Sequence, residues 1–315
     1  MEISILSITL KTLLQVLQAF LVLAVAPLLT GWVRMVKARM LGRTAPSLFQ
    51  PWRDIFRLLR KETIVAPSAS RLFTMAPTII FVTTWIAASL VPTVMVKLPL
   101  APVADIIALI GLLGLSRFFL VLAGLDIGTS FGGLGASREA FISSLAEPAM
   151  MLVIFALATL AGSTDLPTIA TYMAGSGGMR LSLLFAFIAF LMVAVAENAR
   201  IPVDNPTTHL ELTMVHEAMI LEYSGHHLAL IELAAALKLL LYIGLAACLF
   251  LPWGMALPGQ AFPYGFAAWG AKLLLGGAAL AALETGRAKM RVFRVPEFLG
   301  GALLLAFIGL LLAGV

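Results

Sequence analysis

Five carboxylates, Glu197, Asp204, Glu211, Glu217 and Glu222, fall within residues 196–225, together with His209 and His216. Two more, Glu139 and Glu147, lie eight residues apart, a little over two helical turns, and so lean toward one side of a helix. In apolar surroundings desolvation and mutual repulsion raise carboxylate pKa values, and the groups titrate as a coupled set. The chemistry such a set can do near neutral pH is proton exchange. A metal centre is not expected. "HEAMI" starts like the zinc-protease H-E-x-x-H, but position 220 is Ile, so the second ligand is missing. His226 and His227 are adjacent and point to different faces of a helix.

The elements that must carry these acids are apolar. Of 315 residues, 61% are hydrophobic and 12% charged, with a mean hydropathy of +1.03; a soluble domain is about one quarter charged. The chain reads as an all-α polytopic membrane protein, a single integral membrane domain over residues 1–315. Eight apolar spans are expected, at 10–33, 72–96, 102–123, 140–162, 181–199, 227–251, 267–285 and 297–315. Each has the ~20 residues a helix needs to cross the hydrocarbon, and only helices satisfy their own backbone there at this length. The first span is too long for a cleaved signal and lacks a basic start. The single cysteine, Cys248, cannot hold an iron–sulfur cluster or form an internal disulfide.

The connections alternate in charge. Fifteen Lys and Arg fall on one side, against Lys97 and Arg180 on the other, which assigns the basic side to the cytoplasm. The cytoplasmic loops are then about 34–71, 124–139, 197–226 and 286–296. The formal charge of +5 follows from this bias and not from a nucleic-acid surface. In the first loop, Leu48, Trp52, Ile55, Phe56 and Leu59 recur at helical spacing, with Arg53, Arg57, Arg60 and Lys61 largely opposite. This predicts a short amphipathic helix in the headgroup plane, anchored by Trp52.

Charges inside spans are the informative residues, because each costs a few kcal/mol at the bilayer centre unless paired. Asp105 and Arg117 fall in the third span, Glu232 and Lys238 in the sixth, Lys272 and Glu284 in the seventh. Lys238 and Lys272 are as readily structural ion pairs as functional groups, and Asp105 and Glu284 are expected to reach water at span ends. Pro202 and Pro206 break the fifth helix. Helix should restart after "DNPTTH", which places Glu211 and Glu222, eleven residues apart, on one face. Pro148, next to Glu147, frees a carbonyl one turn earlier, as at a hydrated site.

"AENARIPVDNPTTHLELTMVHEAMILEYSG" resembles the central loop of subunit 1 of respiratory complex I, where A-E-x-x-R-x-P-x-D leads to E-L and then E-Y-S-G. The matching residues are Ala196, Glu197, Arg200, Pro202, Asp204, Glu211, Leu212, Glu222, Tyr223, Ser224 and Gly225. "GLDIGTSFGGLGASREAFISSLAEPAM" and "GRTAPSLFQPWRDIFRLLRKE" are similar to motifs of the hydrogenase branch, typified by hydrogenase-4 component C and the membrane subunit of formate hydrogenlyase. Two departures from complex I favour that branch. Thr207 and His209 stand where carboxylates are expected, and the stretch from Glu211 to Glu222 is about three residues longer.

The resemblance implies a membrane anchor and coupling subunit of an energy-converting redox complex, in a prokaryotic cytoplasmic membrane. Its partners would be a hydrogenase-like large subunit, an iron–sulfur small subunit and antiporter-like membrane subunits. A nickel–iron site and iron–sulfur clusters would sit on those partners, with no cofactor on this chain. Glu147, Glu197, Asp204, Glu211 and Glu222 match the family's carboxylates and Arg200 its loop arginine; with Glu139 and Glu217 they form the expected proton path. Arg43, Gln50, Trp52, Arg53, Arg57 and Lys61 form the expected interface with the peripheral arm. The competing readings are a quinone-chamber subunit, a stand-alone ion transporter and a pure anchor.

Overall fold

Long apolar runs with few charges become helices because no other backbone is self-sufficient in hydrocarbon. The computed structural model describes residues 2–94, 104–175, 180–204, 214–254 and 262–314, with backbone only for 2–11, 262 and 292. The helices among them are α1 (Glu2–Met40), α2 (Gln50–Leu59), α3 (Arg71–Leu90), α4 (Ile106–Asp126), α5 (Ser130–Ala161), α6 (Leu166–Gly175), α7 (Leu181–Glu197), α8 (His216–Ile220), α9 (Gly225–Leu249), α10 (Phe262–Gly286) and α11 (Val295–Ala313). Seven are long and apolar enough to cross a membrane, and α7, with 17 residues, is a shorter apolar helix. At ~1.5 Å per residue α7 still covers most of a hydrocarbon core. The chain is a multi-pass, all-α membrane protein.

Several expected boundaries move. α1 continues to Met40, well into the first predicted loop. The predicted loop 124–139 is mostly helix. A turn at Gly128 (φ +71°) leads to Thr129, whose side chain accepts the Gly132 N–H and starts α5, so Arg138 and Glu139 are helical. α6 was not anticipated in the turn-rich segment after the fourth span. It abuts the start of α4, where the Ile106 N–H donates to the Thr164 carbonyl and the Leu166 N–H to the Ala104 carbonyl. Asp105, expected to reach water at a span end, is partly exposed just ahead of the span. Its side chain caps α4 by accepting the Ile107 and Ala108 N–H groups, and the Thr164 hydroxyl bond is the largest cause that holds its carboxyl below the ordinary range.

Close approach organises the bundle. α11 lies against α5 and α7 through Ala302, Ala306 and Gly309; a Cβ at Gly309 would meet the Ser182 carbonyl at 3.1 Å. α1 and α10 meet at Gly277, where a Cβ would come within 2.9 Å of the Trp32 ring. α9 is the most enclosed span, 67% of its window buried against 22% for α10, so its charges are inside the protein. Lys272 donates to the Ala247 and Leu251 carbonyls, satisfying the C-terminal end of α9.

Candidate functional site

Arg117, from the middle of α4, is 6% exposed and reaches three carboxylates on two other helices. Its Nε lies 3.3 Å from Glu139 Oε1 and its Nη1 3.3 Å from Glu147 Oε1, both on α5. Its Nη2 pairs with Oε2 of Glu197, the last residue of α7. Lys238 of α9 places its Nζ 3.0 Å from the same Glu197 oxygen. A guanidinium spreads its charge over a planar fork, so one side chain lies within ion-pair distance of three acids, with Nη1 donating to Glu147. Glu139 and Glu197 are buried, while the Glu147 side chain is 48% exposed at the outside of the bundle, midway along α5. Pro148 sits inside an uninterrupted α5.

Helix α7 stops at Glu197 before either proline. Ala199 adopts a left-handed φ of 48°, the Arg200 N–H reaches back to the Val195 carbonyl and the Ala199 N–H to Ala196. This is a Schellman end with alanine where glycine is usual, at a cost of ~1–2 kcal/mol. It turns Arg200 toward Glu284, whose carboxylate lies 3.4 Å from Arg200 Nη1 and 2.7 Å from Lys37 Nζ. Glu284, expected to reach water, is 5% exposed and held between these two cations. Burial pulls the Arg200 guanidinium below its ordinary value, against the opposing effect of Glu284. Asp204, also buried, accepts from Lys289 Nζ at 2.7 Å and from the His216 N–H at 3.3 Å.

A cavity of about 820 Å³ is lined by several of these groups, though not by Glu147, Asp204 or Lys289. Arg117, Glu139, Glu197 and Lys238 line it at one end and Lys37, Arg200, Glu217 and Glu284 elsewhere, with α2 along one wall. The predicted amphipathic helix is present and has three sectors. Pro51 and Ile55 face the cavity and are buried. Phe56 and Leu59 are exposed, and Trp52 stacks on Phe56 while donating its indole N–H to the Ala24 carbonyl. Arg53, Arg57, Arg60 and Lys61 form an exposed basic edge. Gln50 bonds Asp54 within the helix, and Arg43 lines the cavity mouth.

The "EYSG" segment is a clamp on the first loop. Ser224 Oγ accepts the Ile64 N–H and donates to the Ile64 carbonyl, and Thr63 Oγ1 shares a hydrogen bond with His226 Nδ1. Gly225, at φ 54°, lies so close that a Cβ would come within 2.6 Å of Thr63 Oγ1. Tyr223 stacks on Phe73 with ring centroids 4.0 Å apart and donates its hydroxyl to the Phe73 carbonyl; burial raises its pKa well above normal.

The sequence-predicted path is thus divided. Glu139, Glu147 and Glu197 are brought together; Arg200 and Asp204 belong to separate ion pairs at the basic end; Glu217 lines the cavity. Glu211 lies outside the described residues, as do Thr207 and His209. Glu222 is exposed, and it does not share a continuous helix with Glu211, because α8 starts only at His216 and ends at Ile220. Sequence reasoning left out Arg117, Lys238 and Glu284 as site residues, although charge inside an apolar span was the signal available for each. Among the described residues no three His, Cys, Asp or Glu side chains are grouped to hold a metal ion.

Residues 12–314 match the family model described as NADH dehydrogenase. The chain is 36% identical over 239 residues to hydrogenase-4 component C of Escherichia coli (strain K12), covering 76% of this chain and 75% of that one. It is 30% identical over 312 residues to formate hydrogenlyase subunit 4 of the same organism, covering 96% and 100%. Its fold is similar to that of a chain in the structure of the membrane-bound sulfane sulfur reductase, an archaeal respiratory membrane complex, with a TM-score of 0.80 at 20% identity over 95% of this chain and 99% of that one. With the match running from the first span to the last, the chain belongs to the NADH dehydrogenase membrane-subunit family, together with the hydrogenase-4 and formate hydrogenlyase subunits.

Proposed function

We propose that the chain is the membrane anchor and coupling subunit of an energy-converting redox complex of the hydrogenase-4 or formate hydrogenlyase type. A peripheral arm docks at the basic end, and its redox chemistry drives the movement of protons, or of sodium, through neighbouring membrane subunits. The observation that carries this reading is a continuous polar route. The cavity walled by α2 reaches the Arg117 cluster, and the cluster reaches the outside of the bundle at Glu147. A carboxylate half-exposed midway along a spanning helix is costly in lipid and inexpensive against a polar partner helix.

No electron crosses this chain in the proposal. The nickel–iron site and the iron–sulfur clusters belong to a hydrogenase-like large subunit and an iron–sulfur small subunit, and antiporter-like subunits cover the Glu147 face. Arg53, Arg57 and Lys61 offer an acidic partner surface an exposed edge, with Arg43, Gln50 and Trp52 behind it. The basic end faces the cytoplasm of a prokaryotic cell. The clamp at Ser224 and Gly225 ties the loop beyond α2 to the start of α9, so displacement of α2 is passed to the helix that carries Lys238.

One observation favours a second reading. A cavity of about 820 Å³ with Ile55, Leu58, Ile80 and Leu120 in its wall has the size and partly apolar lining of a site for a lipid quinone. The many charges of both signs in the same wall weigh against it.

The test is reconstitution of the purified complex into vesicles, with ion movement measured per electron transferred. The E197Q complex should assemble and turn over with ion movement reduced at least about tenfold, because the link between cavity and cluster is cut. Unchanged ion movement in an assembled E197Q complex would reduce the chain to an anchor.

A further inference from the structure

The connection from α1 to α2 is built around two arginines. α1 ends at a left-handed Gly42 (φ +66°), and the Arg43 N–H returns to the Ala38 carbonyl, which folds Arg43 back over the last turn. The chain then settles on α1 at Gly31, where a Cβ would collide with the Leu48 carbonyl and meet Pro51 Cδ at 3.3 Å. Arg34 follows Gly31 by about one helical turn. Both arginines are exposed, and both line the same cavity as Pro51 and Ile55 of α2. Among the described residues neither lies within ion-pair distance of an acid. Lys37 and Arg200 in the same wall are already engaged by Glu284. The remaining acids on this side are Asp54, bonded by Gln50, and Glu232 of α9. Glu139 and Glu197 belong to the Arg117 cluster, and Glu217 to α8, which packs against α4 and α5. Arg34, Lys37, Arg43 and Arg200 against Asp54, Glu232 and Glu284 leave one positive charge at the mouth.

We infer that this mouth binds the phosphate of an acidic phospholipid. Arg34 and Arg43 hold the headgroup, and an acyl chain lies along Val33, Ile55 and Leu58 toward Ile80 and Leu120. The wall supplies both halves of an amphiphile's site, because the basic groups come from α1 and the turn after α7 and the apolar ones largely from α2, α3 and α4. α2 turns Phe56 and Leu59 outward beside a partly buried Trp52, the pattern of a helix in the headgroup plane. The mouth next to it therefore opens at the level of the bilayer's phosphates. Guanidinium forks match phosphate oxygens two at a time, and basic pockets between spanning helices recognise acidic headgroups. One surplus positive charge suits a head with net negative charge and gives no advantage to a zwitterionic head. A free phosphate ion would leave Ile55, Leu58 and Ile80 facing water. A neutral quinone would leave both arginines without a counter-charge.

The inference does not rest on the coupling reading, since a complex could couple with or without the lipid. The test is native mass spectrometry of the purified complex in neutral detergent, stripped of lipid and titrated with phosphatidylglycerol, with phosphatidylcholine of the same chains, and with sodium phosphate. The wild-type complex should take up one phosphatidylglycerol per copy of this chain, bind phosphatidylcholine at least about tenfold more weakly and retain no phosphate ion. R34Q/R43Q should weaken phosphatidylglycerol at least about tenfold and leave phosphatidylcholine unchanged. R34K/R43K, which keeps both charges without the forks, should fall between. R287Q removes an exposed arginine outside the cavity and should bind phosphatidylglycerol like wild type. Melting temperatures of the lipid-free variants, expected to match wild type, separate loss of the site from loss of the fold. Equal binding of the two lipids, or phosphatidylglycerol retained in R34Q/R43Q, would mean a general lipid coat and overturn the site. Phosphate ion bound by wild type and lost in R34Q/R43Q would make it a free-anion site and overturn the lipid.

Discussion

Arg117 and Glu284 are mirror images. One is a buried cation surrounded by three carboxylates; the other is a buried carboxylate held between two cations. Both touch the same cavity. An excess of acid leaves a position where a proton can come and go, because ionising every group is unfavourable. An excess of cation removes that freedom, because the one acid is held by a positive group from two directions. In the proposed reading, the pairing distinguishes a site that exchanges protons from a clamp that holds α1, α10 and the turn after α7 together. Under that reading, the sign of the surplus and not the burial of a carboxylate separates the two roles.

The sharpest way to break the comparison is to remove each centre. R117M leaves three acids with Lys238 alone and should cost about 3–5 kcal/mol, the range for stranding a buried charge, read as loss of assembled complex and a lower melting temperature in detergent. R117K keeps the charge without the fork and should fall between that variant and wild type. E284Q should cost less, on the order of 2 kcal/mol, because Lys37 and Arg200 retain 24% and 16% side-chain exposure and can turn to water. Y223F supplies a neutral scale. It keeps the stack on Phe73 and loses one hydroxyl bond, about 1 kcal/mol by thermal melting. E222Q, exposed and outside both centres, should stay within about 0.5 kcal/mol and leave ion movement unchanged. A loss of coupling in E222Q would mean that exposure on this chain is covered by a working partner surface.

Much of this architecture could be read before any coordinates. Continuous apolar length is a direct consequence of what the bilayer demands, so the spans and the amphipathic α2 followed from the sequence, as did the end of α7 ahead of Pro202. Glu139, Glu147 and Glu197 were legible as acids in apolar company. Their convergence was not, because three helices must be packed before Arg117 can be seen between them. Glu284 looked like a span-end residue because hydropathy along one helix says nothing of the Lys37 that α1 brings to it. The expected helix linking Glu211 to Glu222 rested on the capping types in "DNPTTH" and on spacing, and neither can see that Val215 leaves helical geometry at φ −122°. The "EYSG" motif was recognised by resemblance, and only the close approach at Gly225 supplies its physical reason.

The most direct test of the account is ion movement per electron in vesicles reconstituted with E147Q and E284Q complexes side by side. If acid surplus marks the exchanging site and cation surplus the clamp, E147Q complexes assemble fully and move almost no ions. E284Q complexes, in whatever fraction assembles, move ions at the wild-type ratio. Wild-type ion movement in E147Q, or loss of it in fully assembled E284Q, would contradict the division of roles between the two centres.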